Sequence, residues 1–241
     1  MFGRLLVTAL LALTPAHHYR VEPVPILMYH VVAAPPPGAP FPGLYVTRQQ
    51  FDAQVRWLAR HGYRAVTLRQ VYDDWRGIAG LPPRPVVLSF DDGYRSDYTH
   101  ALPALRALHW PGVLNLEVAN TRPVWGLRRG LVRALVHAGW EVDAHTVTHP
   151  DLTTLDPRRL WYEVAGSRRL LQREFHVPVD FFAYPAGRYD AAVVRAVRRA
   201  GYLGAMTTDE GVATPSEGLY TLDRLRVEGA SSLAALLRTP A

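Results

Sequence analysis

Pro85-Val86-Val87-Leu88-Ser89-Phe90-Asp91-Asp92-Gly93-Tyr94 decides how this chain folds. The stretch opens on a nearly unbroken apolar run rich in β-branched residues, which reads as a strand buried on both faces. Such a strand belongs to a parallel sheet covered by helices. The run then stops abruptly in two carboxylates and a glycine. In parallel α/β folds the carboxyl ends of the strands are where chemistry is placed, so fold and function meet here.

The same alternation continues in both directions. Upstream, Val24 to His30 reads as a buried strand ending in a polar residue, and Pro35 to Pro42 is a proline-rich loop. Thr47 opens a helix, with Gln50 completing a capping box; Phe51, Val55 and Leu58 share its apolar face and Gly62 stops it. Further strands are expected at 63–67, 112–118, 141–145, 181–184, 202–207 and 222–227. The helices between them span 68–75, a stretch ending near Leu108, 130–138, 156–175, 190–200 and 232–238. Strands alternating with helices require right-handed crossovers. Seven or so such units suit a closed or nearly closed barrel, so the expected fold is a single-domain α/β barrel.

Composition narrows the chemistry. The chain has 241 residues, 49% hydrophobic and 20% charged, enough for one substantial core. It has no cysteine, which excludes disulfides, thiolate metal sites and cysteine nucleophiles. It also has no lysine: all 27 basic residues are arginine, and the formal net charge is +6. The arginines are dispersed over helical stretches such as Arg195, Arg198 and Arg199, without the clustered basic and aromatic residues of a nucleic-acid binder. A basic start at Arg4, an apolar run from Leu5 to Leu13 and then Pro15-Ala16 are expected to form a secretory signal or short anchor over residues 1–18. A buried N-terminal strand or helix is the competing reading. Residues 19–241 are then the catalytic domain.

His30, Asp91, Asp92, His145 and Pro185 all fall at, or just after, the end of an expected strand, which puts them on one face of the barrel. Adjacent Asp91 and Asp92 point different ways on an extended chain, so one carboxylate can hold a metal while the other faces substrate; an ordinary Asp-Gly turn is the plainer alternative. In His145-Thr146-Val147-Thr148-His149-Pro150 the β-branched residues and the proline disfavour a helix. A strand end turning into a loop brings both rings to one ion, unless they are merely structural histidines. Imidazole nitrogen with carboxylate oxygen suits zinc first, with cobalt, nickel or iron(II) as alternatives, and not calcium or magnesium.

Together, Ser89-Phe90-Asp91-Asp92-Gly93 and His145 to Pro150 resemble the first two motifs of the polysaccharide deacetylases, the family-four carbohydrate esterases. Phe182-Ala183-Tyr184-Pro185-Ala186-Gly187, Pro25 to His30 and Leu222 to Val227 fit the secreted biofilm poly-N-acetylglucosamine deacetylase branch, in order over about residues 24 to 228. The resemblance implies a distorted (β/α)7 barrel. It also implies one divalent metal on Asp92, His145 and His149, Asp91 as general base, and the backbone N–H of Ala186 at the oxyanion. Many relatives protonate the leaving amine with a histidine from a late Leu-x-x-His motif, absent here, and His30 is the substitute. They also orient the base with an arginine in the third motif, where this chain has alanine. Arg224, on the last strand, is expected to take that place.

The implied activity is hydrolysis of N-acetyl groups on an N-acetylglucosamine polysaccharide, foremost poly-β-1,6-N-acetylglucosamine. Peptidoglycan or chitin oligomers are the alternative substrates, and a catalytically inactive carbohydrate-binding relative the alternative class. Tyr94, Trp125 and Tyr184, on or near the motif loops, are candidates to stack on sugar rings. A secreted or envelope-associated monomer with no nucleic-acid partner is expected.

Overall fold

The computed structural model describes residues 22–238. The expected signal or anchor over residues 1–18 lies outside the described residues. Among the described residues there are eight strands: β1 (Ile26–Tyr29), β2 (Arg64–Ala65), β3 (Pro85–Asp92), β4 (Val113–Leu116), β5 (Glu141–Ala144), β6 (Phe181–Ala183), β7 (Gly204–Glu210) and β8 (Leu222–Arg226). Their pairing is parallel throughout and runs β1-β8-β7-β6-β5-β4-β3, with β1 also paired to β3. That last pairing closes a ring of seven strands. β2 stays outside it, adding two residues to the start of β3. The closure is irregular. β5 and β6 share a single residue pair, Ala144 with Phe182, and the β7–β8 register slips between Met206 and Glu210. This is the distorted (β/α)7 barrel expected from the sequence.

Period-two alternation sorts the strand residues. Ile26, Val87, Val113, Phe181, Met206 and Leu222 form one buried cluster within the ring. Their outward neighbours Leu27, Leu88, Leu114, Phe182 and Leu225 pack beneath the helices. One period further along, toward the carboxyl ends, the inward positions become polar: Ser89, Asp91, Asn115 and Arg224, all buried and hydrogen-bonded to one another. The barrel therefore has an apolar floor and a charged upper layer.

The helices begin where local chemistry allows. Thr47 and Thr67 make reciprocal capping boxes with Gln50 and Gln70 for helices Arg48–Arg60 and Leu68–Trp75. Asp156 and Asp190 accept backbone N–H bonds at the starts of Pro157–Trp161 and Ala191–Arg199. The long helix expected over 156–175 is broken by a π-helical turn at Tyr162–Gly166 and resumes as Ser167–Phe175. A second π turn, Asp97–Ala101, precedes helix Leu102–Arg106. Among the described residues, no helix is long and apolar enough to cross a membrane.

Candidate metal centre

β3 ends in Asp91 and Asp92, and the backbone turns over at Asp92, where φ is 72°. That turn separates the two carboxylates. Asp91 points inward, where it is 1% exposed, while Asp92 lines the cleft above it. β5 ends one residue before His145, and the loop that follows folds back through Thr146 (φ 69°) to His149 (φ 55°). Left-handed backbone at a β-branched residue is strained, and strain of this kind gathers at functional sites. The Thr146 hydroxyl fixes the fold-back by accepting the His149 N–H at 2.8 Å.

The consequence is a three-donor cluster. Asp92 Oδ1 lies 3.4 Å from His145 Nε2 and 3.6 Å from His149 Nε2, and the two nitrogens are 3.1 Å apart. Tetrahedral bonds of about 2.0–2.2 Å to one zinc-like cation space their ligand atoms about 3.3–3.6 Å apart, so the trio has the right size. His145 Nδ1 donates to the Ala183 carbonyl at 2.8 Å, which turns Nε2 toward the cluster. Burial opposes a charge on the ring, but the Asp92 and Asp91 carboxylates outweigh it and raise its proton affinity, so a cation bound there would displace that proton. Burial opposes ionisation of Asp92, but the hydrogen bond and charge of His145 outweigh it and keep the carboxyl below its usual range. Burial, reinforced by the neighbouring His145, lowers the proton affinity of His149 and so favours its neutral, ligating form. Two imidazoles and one carboxylate fit a borderline divalent cation and leave a coordination position open.

Behind the trio, Arg224 donates to both oxygens of Asp91, from Nη1 to Oδ1 and from Nη2 to Oδ2, at 2.8 Å each. Asn115 adds a bond to Oδ1 at 2.7 Å. Burial would raise the Asp91 carboxyl, but Arg224 overcomes it and holds the group far below the usual carboxylate range. Oδ1 is doubly engaged and Oδ2 singly, so an acceptor position remains on Oδ2. His30 Nε2 stands 4.0 Å from that oxygen. Its burial lowers its proton affinity, so the ring rests uncharged.

These groups line one cleft of about 570 Å³, walled by Pro40 to Leu44 on one side and by Ala186, Thr208, Arg226 and Glu228 elsewhere. Ala186 has left-handed backbone (φ 50°) in the turn after β6. A larger surface hollow, about 630 Å³, lies away from this cleft between helices Pro157–Trp161 and Ala191–Arg199 and contains none of these residues.

The aromatic candidates divide. Tyr94 sits near Asp92, with its ring 5.7 Å from that of Trp125. Trp125 is 54% exposed on the adjoining loop. Tyr184 lines the same cleft but presents little free ring face to it. It is fully buried, its ring is packed on Phe182 and Tyr189, and its hydroxyl donates to the Tyr220 carbonyl. Phe41, 69% exposed on the cleft wall, was not singled out from the sequence and offers the free aromatic surface that Tyr184 lacks. Asn115 and Glu163 were also missed. Asn115 had a visible signal, a lone amide in the apolar strand Val113–Leu116.

Residues 79–205, just over half of the chain, match the sequence profile of the family described as polysaccharide deacetylase. A Bacillus subtilis protein provisionally named polysaccharide deacetylase YxkH is 28% identical over 212 residues, 88% of this chain and 74% of that protein. The poly-β-1,6-N-acetyl-D-glucosamine N-deacetylase of Staphylococcus epidermidis is 24% identical, over 76% of this chain and 68% of its own length. Among solved structures, Streptococcus pyogenes deacetylase PplD in complex with acetate superposes with a TM-score of 0.85 at 28% identity, covering 90% of this chain and 98% of that one.

Proposed function

The chain belongs to the polysaccharide deacetylase family, and on that premise we propose that it is a metal-dependent hydrolase of N-acetyl groups on poly-β-1,6-N-acetylglucosamine. The observation that carries the metal dependence is the convergence of Asp92, His145 and His149, whose ligand atoms all lie within 4.8 Å of one another. The choice of polymer is supported by the activity named for the staphylococcal relative and by the order of motifs along the chain.

Asp92, His145 and His149 would hold the cation. When bound, it supplies Lewis acidity to a water molecule and to the acetyl carbonyl. Asp91 then takes one proton from the attacking water on the open side of Oδ2, while Arg224 and Asn115 keep the carboxylate ionised and aimed. The backbone N–H of Ala186 donates to the developing oxyanion; one such donor is worth about 3–4 kcal/mol in a dry site. The C–N bond breaks, the water oxygen leaves in acetate, and a proton reaches the departing amine through His30. Because burial weakens the hold of His30 on a proton, it becomes a strong acid once it is protonated. Tyr94, Trp125 and Phe41 would contact the sugar chain. The basic-apolar stretch Arg4 to Leu13 supports action outside the cytoplasm, as a secreted or envelope-associated protein.

The test is acetate release from defined β-1,6-linked, β-1,4-linked and peptidoglycan substrates, with and without a chelator. We expect the β-1,6 polymer to be preferred, turnover to stop with chelator, and zinc or cobalt to restore it. Chelator-resistant turnover removes the metal, and preference for a β-1,4 or peptidoglycan substrate replaces the polymer.

A further inference from the structure

We propose that Glu163 is a positioning residue that clamps the His149 loop in the shape that metal binding requires, an inference that rests on the metal reading above. Glu163 is a fully buried acid outside the three-donor cluster. Its Oε2 accepts the backbone N–H groups of Val147 and Thr148 at 2.8 and 2.9 Å. Its Oε1 accepts the Thr148 hydroxyl at 2.8 Å and pairs with Arg159 Nη2 at 2.8 Å. Four donors fill the acceptor positions of one carboxylate.

Every loop atom gripped in this way lies between the two histidine ligands. Val147 and Thr148 sit in the fold-back whose neighbours Thr146 and His149 are left-handed. Nothing in the local sequence favours that path, because β-branched residues prefer extended backbone. The clamp supplies what local preference does not: the N–H of buried Val147 and that of the more exposed Thr148 both meet the Glu163 carboxylate in the folded-back loop. Glu163 reaches them from the π turn Tyr162–Gly166, the break in the long helix. Turns of this kind recur at functional sites. Gly166 of the same turn brings the helix close to the loop, since a Cβ there would stand 3.7 Å from a Val147 methyl group. Arg159, half exposed, bonds both Glu163 and Thr148 and closes the clamp from the solvent side.

A cobalt(II) titration followed by its visible d–d absorption separates this role from simple packing. In Glu163→Gln an amide nitrogen replaces one acceptor and faces donors. The expected result is a cobalt Kd weaker by about 10–100-fold, the usual effect of losing a residue that supports a metal ligand. The absorption bands should weaken and shift from those of the wild type, as a displaced His149 loosens the ligand set. Thr148→Val, which removes one of the four bonds, should weaken binding less and leave the metal-free Tm near wild type. An unchanged Kd with unchanged bands in Glu163→Gln overturns the proposal. Should that variant fail to fold, an unchanged Kd in both Thr148→Val and Arg159→Ala overturns it equally. If the wild-type protein itself binds no cobalt, the metal reading falls and the clamp falls with it; if the wild type binds and the variants match it, only the clamp falls.

Discussion

Arg224 and Asp91 face each other across the barrel interior in a two-pronged ion pair, although β1 lies between the strands that carry them. Arg224 also donates from Nε to the Thr207 carbonyl at 2.7 Å and from Nη1 to Ser89 at 3.3 Å, so its guanidinium has a single orientation. The pair ties β8 to β3 and fixes the protonation state of the carboxylate beside the cleft.

Arg224→Ala should therefore act in two ways. Removing one partner of a buried pair leaves the other charge uncompensated, which costs about 3–5 kcal/mol and should show in the unfolding midpoint. In the folded fraction, burial is no longer opposed and the Asp91 carboxyl rises. If turnover needs Asp91 ionised, the acid limb of the kcat/KM profile moves to higher pH, so activity falls more at pH 5 than at pH 8. Arg224→Lys, which keeps the charge without the fork, should shift the limb less and preserve the fold. An unmoved acid limb in both variants removes Arg224 from the machinery.

Asp92→Ala and His149→Ala each delete one of the three donors that, among the described residues, converge on one point. Metal content by elemental analysis and acetate release should fall together, to background. A variant that kept stoichiometric metal would show that its residue is not a ligand.

Asp91→Asn should divide those two readouts. Asp91 stands behind the trio, so metal content should stay at the wild-type level. Loss of the proton acceptor should lower kcat by about 10²–10⁴-fold with little change in KM. Retained turnover would remove Asp91 as the base.

Gly187→Ala tests the turn that carries Ala186. Gly187 has φ 68°, and an added Cβ would collide with the Thr208 side chain on the cleft wall. Left-handed alanine alone costs about 1–2 kcal/mol. At about 2–4 °C per kcal/mol for a chain of this size, calorimetry should show a Tm lowered by at least several degrees. A Tm within one degree of wild type would mean that the turn is freer than its geometry indicates.

Much of the architecture was legible because it is written in local patterns. The Thr47–Gln50 box, the Asp156 and Asp190 caps and helix Leu68–Trp75 all stand where periodicity and capping chemistry place them. The strand at 63–67 shrinks to Arg64–Ala65, because it pairs only with the first residues of β3 and is left out of the ring. The π turns could not be read, since a widened turn comes from packing and leaves no periodic trace in so few residues. Within the cleft, the residues at strand ends were visible because a polar group after an apolar run stands out. Glu163 was invisible for the opposite reason: an acid on a helix looks like solvated surface until the helix is docked. Tyr184 carried the same ambiguity, and burial resolved it toward packing.

The fold-back torsions at Asp92, Thr146, His149 and Ala186 bear on anyone who would rebuild this cleft. Its accuracy is lodged in unfavourable main-chain angles, each of which the surrounding contacts must enforce. Loop grafts that copy the side chains onto a relaxed backbone would reproduce the inventory and lose the grip. Glycine at Thr146 would ease the angle and also remove the hydroxyl that fixes His149, so affinity for the cation and relief of main-chain strain should change in opposite directions there.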